Sequence, residues 1–269
     1  MSFYLLDAID RIGPGDEASG HVRLPLDEIP MPACLIVEAV GQLAGWIGLV
    51  ATDFVSRPVA ATVQRVRLHE DATAGSTLTL EARVRALRSN AISWEGRALL
   101  DGRPLLTLQR CTGPLLPAAE LEDPKDLQRR FERLREQSDS SAYPTDIDGI
   151  AVTERLRTTD EGGRVLELLL PEAHPLYAAH FPRRPVFPAS LLLEAQLRTA
   201  RDLAGPDFLL LGLDGIKVRS FSVPGDRVEL TVSRIDESRD KLTCNLVCDT
   251  SDGRRISEAR ALFERRPGP

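Results

Sequence analysis

The chain repeats itself once, and the repeat falls on its most apolar stretches. Met31-Pro32-Ala33-Cys34-Leu35-Ile36-Val37-Glu38-Ala39 aligns without a gap on Phe187-Pro188-Ala189-Ser190-Leu191-Leu192-Leu193-Glu194-Ala195, at an offset of 156 residues, the distance from Glu38 to Glu194. Self-similarity at one fixed offset points to two copies of one supersecondary unit. Each copy reads as a helix opening at a proline, whose missing N–H costs nothing at a first helical position. Each carries one carboxylate on an otherwise apolar surface, which is unfavourable unless that group is paired or used. At 269 residues the chain has the length for two domains of about 100–150 residues each.

The pattern around the two helices is that of strands. Residues 3–11 and 17–24 read as short strands around Gly13-Pro14-Gly15, followed by a loop from Pro25 to Pro30 and a helix from Pro32 to Ala51. Strands are expected at Ala60–Arg67, Thr77–Leu87, Ile92–Leu100 and Leu105–Cys111, with Asp101-Gly102 as a hairpin turn. Alternation is clearest in Leu78-Thr79-Leu80-Glu81-Ala82-Arg83-Val84-Arg85, a half-buried antiparallel strand. The second half repeats the order: strands at 150–158 and 164–170, a loop, a helix to Leu203, then strands at 208–220, 226–236, 239–250 and 254–265. Between the halves, residues 114–148 leave the sheet, with a charged surface helix over Asp123–Gln137, a polar run Ser138–Pro144 and a lead-in at Asp146–Gly149. The expected division is an N-terminal domain 1–113, a linker 114–148 and a C-terminal domain 149–266.

Composition narrows the function classes. A net charge of −6 argues against nucleic-acid binding. Met31–Ala51 approaches transmembrane length, but Glu38 and Gln42 interrupt it, so no membrane span is expected. The start, Met1–Asp7, lacks a basic segment followed by a long apolar core, and the chain reads as cytoplasmic. Cys34, Cys111, Cys244 and Cys248 form no C-x-x-C pair and the histidines are scattered, so no metal site is expected. His21, His69 and His174 read as surface or loop residues.

The two copies are complementary. The second is preceded by His180-Phe181-Pro182-Arg183-Arg184-Pro185-Val186-Phe187-Pro188; in the first, Leu24 stands where His180 would be. The first has Gln42 one turn beyond Glu38, where the second has Arg198. H-F-P-x-x-P-V-x-P-(G/A)-x-L-x-x-E resembles the signature of 3-hydroxyacyl-[acyl-carrier-protein] dehydratases of the FabZ/FabA type, with Ala189 where that family usually has Gly. The lead-in His174-Pro175-Leu176-Tyr177 is similar too, as is Glu38-Ala39-Val40-Gly41-Gln42-Leu43-Ala44-Gly45. Pro32-Ala33-Cys34-Leu35 resembles the helix start of the FabA branch.

The resemblance implies an α+β hot-dog fold, each antiparallel sheet wrapped on a helix, and a dimer whose sites take His from one subunit and the acid from the other. A tandem chain would be a double hot-dog forming that dimer internally, compatible with a further homodimer. One site would be complete, from His180 and Glu38; the other, Leu24 with Glu194, vestigial. In such a site His180 would act as base, a Glu38 with raised pKa as acid and Gln42 as its orienting partner. Backbone N–H groups of Ala33 and Cys34 would hold the thioester carbonyl. Arg183 and Arg184 would receive an acyl carrier protein or its phosphopantetheine arm, which arrives with the substrate; no other cofactor is implied. Fatty-acid, polyketide and polyene-type pathways, and FabA-like isomerisation, all suit this reading. An acyl thioesterase and a non-catalytic acyl-binding partner of another dehydratase remain as alternatives, since fold alone does not fix function.

Overall fold

The computed structural model describes residues 3–13, 16–24, 31–136 and 150–266. Pro14 and Gly15 of the expected first turn, the loop 25–30, and the linker residues 137–149 lie outside the described residues.

The first half contains β1 (Ala8–Gly13), β2 (Glu17–Arg23), α1 (Ala33–Ala51), β3 (Ser56–Pro58), β4 (Thr62–Leu68), β5 (Thr77–Leu87), β6 (Ala91–Leu100) and β7 (Arg103–Pro117). Two connecting helices follow, α2 (Ala118–Leu121) and α3 (Pro124–Glu136). The second half contains β8 (Val152–Thr158), β9 (Arg164–Leu169), a 3₁₀ turn at Pro175–Ala178, α4 (Ala189–Ala204), β10 (Phe208–Val218), β11 (Arg227–Glu237), β12 (Lys241–Thr250) and β13 (Arg255–Arg265). The sheet runs β1-β2-β5-β6-β7-β4-β10-β13-β12-β11-β9-β8, every ladder antiparallel. Read from either edge, the strand order is the same in both halves. They meet where β4 pairs β10, Val63 opposite Ile216 and Val66 opposite Leu213.

Periodicity explains the elements. In β5, Leu78, Leu80, Ala82 and Val84 are buried while most of their alternate neighbours face water, the period of two that places one face on the core. The Asp101-Gly102 hairpin closes β6 on β7 with both residues at positive φ, 50° and 77°, as a two-residue turn of this kind requires. α1 buries Leu35, Ile36, Val40, Leu43, Ile47 and Leu49, each stabilising by roughly 1.5–3 kcal/mol relative to exposure. This helix is long and apolar enough to cross a bilayer, but 61% of its most apolar 18-residue stretch is buried inside the fold. It packs against α4 and the inner face of β2, β5 and β6. Gly48 lets it approach β3: a Cβ there would stand 2.4 Å from Pro58 Cγ. Pro188 caps α4 rather than opening its first turn, as Pro32 caps α1.

The connecting segment departs from expectation. The sheet does not end at residue 113, because β7 runs on to Pro117 and pairs with β3 through Leu115, Leu116 and Pro117. Prolines are tolerated on so short an edge ladder, where a missing donor can face outward. Nor is α3 only a solvated charged helix. Leu127 and Leu134 are buried, and Phe131 packs on Trp46 and Phe54 with ring centroids 5.9 and 5.8 Å apart. Leu127, Phe131 and Leu134 recur at i, i+4, i+7, a helical apolar stripe docked on the end of α1.

Candidate active site

His180 follows the 3₁₀ turn at Pro175–Ala178, which His174 caps by accepting a hydrogen bond from the Leu176 N–H. Its loop is closed by the Val186 N–H donating to His180 O at 3.2 Å, and by Phe187 pairing with Ser222. The imidazole Nδ1 lies 2.9 Å from Val186 O. A carbonyl only accepts, so Nδ1 carries the hydrogen and Nε2 is left with its lone pair. Phe181 stacks on the ring at 4.5 Å and Phe3 meets it edge-on at 5.1 Å. Burial lowers the His180 pKa to about 4, helped by the Arg57 charge and opposed by the Val186 hydrogen bond. The group is a neutral imidazole near pH 7.

Glu38 stands in the second turn of α1. Burial raises its pKa, while the Gln42 amide, the Ser190 hydroxyl and Arg57 pull the other way. Ser190 Oγ lies near the carboxyl but makes no hydrogen bond of ordinary geometry. Gln42 Nε2 donates both to Glu38 Oε1 at 3.2 Å and to Phe3 O at 2.9 Å. Gln42 Oε1 accepts from the Leu5 N–H at 2.9 Å, so the amide cannot turn over without losing backbone partners. One Glu38 oxygen is thereby fixed as an acceptor.

His180, Glu38 and Gln42, drawn from both halves, line one cavity of about 180 Å³. Its apolar wall includes Gly41, Gly45, Trp46, Leu49 and Trp94. Ala189 and Ser190, the first residues of α4, also line it.

Ala33 and Cys34 are located differently from expectation. α1 and α4 meet so that the start of each faces the carboxylate of the other. The Cys34 N–H points to Glu194 Oε2 at 3.5 Å, and Ser190, which is Cys34 carried forward by 156 residues, sits by Glu38. The helix start beside Glu38 and His180 is therefore that of α4, and the N–H groups able to hold a carbonyl there are those of Ala189 and Ser190. The Cys34 side chain does line the cavity; Ala33 lines a separate depression with Glu194, Arg198 and Arg201. Leu24, expected at the place of His180 and opposite Glu194, is instead buried just after β2, where its N–H donates to Ser76 O as that of Leu170 donates to Asp226 O. The strand register makes it the counterpart of Leu170, because the repeat is gapped between strand and helix. Glu194, 3% exposed, accepts from Arg201 at 2.9 Å. Arg183 is engaged within the fold, donating to Ala119 O at 2.8 Å and pairing with Asp123 at 2.7 Å. Arg184 lies over the Phe221 ring at 5.1 Å. Sequence reasoning missed Ser190, and also Arg57 and Glu122, which no motif marks.

A family model of ApeI dehydratases (ApeI-like) matches residues 156–259, which include the His180 loop and Glu194. The 3-hydroxyacyl-[acyl-carrier-protein] dehydratase FabZ of Roseiflexus sp. (strain RS-1) is 29% identical over 118 residues, 41% of this chain and 82% of that protein. The same enzyme of Pasteurella multocida (strain Pm70) is 31% identical over 101 residues, 35% of this chain and 66% of that protein. The chain is similar in sequence to FabZ-type dehydratases. Solved structures show the fold. The dehydratase domain of PpsC from Mycobacterium tuberculosis superposes with a TM-score of 0.58 at 16% identity, covering 98% of this chain and 99% of that one. An acyl-ACP thioesterase from Bacteroides thetaiotaomicron gives 0.59 at 11%, covering 93% and 98%. A hot-dog protein from Alicyclobacillus acidocaldarius gives 0.55 at 11%, covering 99% and 98%. The fold is a hot-dog.

Proposed function

We propose that this chain is a double hot-dog, an internal pseudo-dimer of its two halves, that dehydrates a 3-hydroxyacyl thioester at one site shared between them. The observation that carries this reading is the single cavity holding a neutral His180 from one half and a Glu38 of raised pKa from the other. His180 Nε2 removes the α-proton, and the developing enolate oxygen is held by the N–H groups of Ala189 and Ser190 at the positive end of α4. The Cβ–O bond breaks as Glu38, oriented by Gln42, donates its proton to the hydroxyl. The products are the trans-2-enoyl thioester and water, and the imidazolium proton returns to the Glu38 carboxylate. The acyl chain would lie along Gly41, Gly45 and Trp94. An acyl carrier protein would present it on a phosphopantetheine arm, in a fatty-acid, polyketide or polyene-type pathway.

The test is mass spectrometry of a 3-hydroxyacyl-ACP incubated with the protein. Loss of one water from the carrier-bound acyl group is the expected result. Release of free acid would make it a thioesterase, and an unchanged substrate at every chain length would leave the binding-partner alternative.

The channel wall makes a second prediction. A Cβ at Gly45 meets nothing within 4 Å, so Gly45→Leu should fold at least as stably, gaining about 1 kcal/mol of helix propensity. Its side chain would fill the channel. The expected outcome is unchanged turnover of a short acyl substrate and a KM raised about ten- to a hundredfold for a long one. Equal effects on both chain lengths would place the acyl group elsewhere.

A further inference from the structure

We propose that Arg57, held by Glu122 of the connecting segment, is a positioning residue for His180. Arg57 lies on β3, and its Nη1 donates to Glu122 Oε2 at 2.6 Å. Its guanidinium carbon is 4.6 Å from the centroid of Phe181, the ring that stacks on His180. Glu122 is 2% exposed and is saturated: besides Arg57 it binds Arg130 and the Tyr4 hydroxyl, while Arg130 covers the Tyr4 ring at 3.6 Å. A buried carboxylate with two guanidiniums persists only where the geometry is fully satisfied, and so Arg57 has little freedom to leave Phe181. The connector also holds the loop by its backbone. The Arg183 N–H donates to Leu121 O at 3.0 Å, and Leu121, Phe181 and Val186 form a small core separate from the main one.

The chain Glu122–Arg57–Phe181–His180 ties the base to the segment that joins the halves. Among the described residues the second half has no strand matching β3, so this tie is not repeated there. A fixed cation above the aromatic stack orients the ring through a cation–π contact and disfavours the imidazolium electrostatically. The other titratable groups lining the cavity are Glu38 of α1, Tyr4 and Cys34, and Glu258 of β13, with Arg183 and Arg184 on the loop itself. Arg57 acts on Glu38 as well, lowering its pKa.

This inference rests on the dehydratase reading but is separable from it. The experiment compares wild type, Arg57→Gln and Arg57→Lys by NMR titration of the His180 ring and by the pH profile of dehydration. In Arg57→Gln the His180 midpoint should rise by about half to one pH unit, both limbs of the profile should move up, and kcat should fall about tenfold with KM nearly unchanged. Arg57→Lys, which keeps the charge, should restore the midpoint. If Arg57→Gln is too unstable to study, Glu122→Gln, which frees Arg57 while keeping its charge, should lower kcat with the midpoint nearly unmoved. A lower plateau with an unmoved midpoint in Arg57→Gln, or a lysine variant no better than glutamine, would make Arg57 merely structural and overturn the proposal. A wild type without turnover would sink the dehydratase reading, while the NMR titration would still decide the role of Arg57.

Discussion

His180→Ala is expected to lower kcat for dehydration about a thousandfold, leaving the fold intact. Positioned acid–base groups contribute about 10²–10⁴-fold, and among the described residues lining the cavity His180 is the one imidazole. Truncation removes the hydrogen bond to Val186, worth about 1 kcal/mol, and the ring's contacts with Phe181 and Phe3, so a lower Tm is expected with the fold retained. The pH dependence has a defined sign. In the proposed mechanism His180 works as the neutral ring, so activity should fall as pH drops through its pKa of about 4. Glu38 works protonated, so activity should also fall as pH rises through its raised pKa. The same histidine links stability to pH. With a folded pKa of about 4 against 6.5 when exposed, the unfolded chain binds more protons between those values. Stability therefore rises with pH across that window and is lost on acidification from about 6.5 to 4. His180→Ala should flatten that slope in acid melts. A variant keeping a tenth or more of wild-type turnover would remove His180 as the base.

Much of this arrangement was legible in the chain because it was written twice. The offset of 156 residues located both helices, and the alternation in β5 and the turn at Asp101-Gly102 needed only local rules. The same offset also held the answer about the helix starts. If Glu38 serves the half that supplies His180, the carboxylate of each helix must face the other helix's beginning, which pairs Glu38 with Ser190 and Cys34 with Glu194. Ala33 and Cys34 lie at the other end of this exchange, because the start of α1 faces Glu194 and not Glu38. The connector failed for another reason. Its stripe of Leu127, Phe131 and Leu134 sits among so many charges that the solvated face dominates the pattern. Arg57 and Glu122 stand 65 residues apart with no shared period or motif, and only the folded chain brings a long-range pair of that kind together.

Glu38→Gln and Glu194→Gln, near-isosteric changes at equivalent positions of the repeat, are expected to behave oppositely. Glu38→Gln keeps a partner for Gln42 but loses the proton that the leaving hydroxyl requires, and kcat should fall about 10²–10³-fold with stability nearly unchanged. Glu194→Gln should keep turnover close to wild type. Glu194 is nearly buried, and its carboxylate accepts from Arg201 and faces the Cys34 N–H. Losing a charge-assisted hydrogen bond of about 1.5–3 kcal/mol should lower Tm by several degrees in a chain of this size. Turnover of a 3-hydroxyacyl-ACP and thermal melts of the two variants separate the cases. If Glu194→Gln were the inactive variant, His180 would have to work with the acid of its own half, although that acid is turned toward the start of α1. The asymmetry has a physical basis. The first copy has no histidine between Arg23 and Met31 to serve Glu194, and a buried carboxylate without a partner is strongly destabilising. The second copy supplies Arg201 two turns along the same face of α4, so the position proposed to hold a reactive acid in one half is an ion pair in the other.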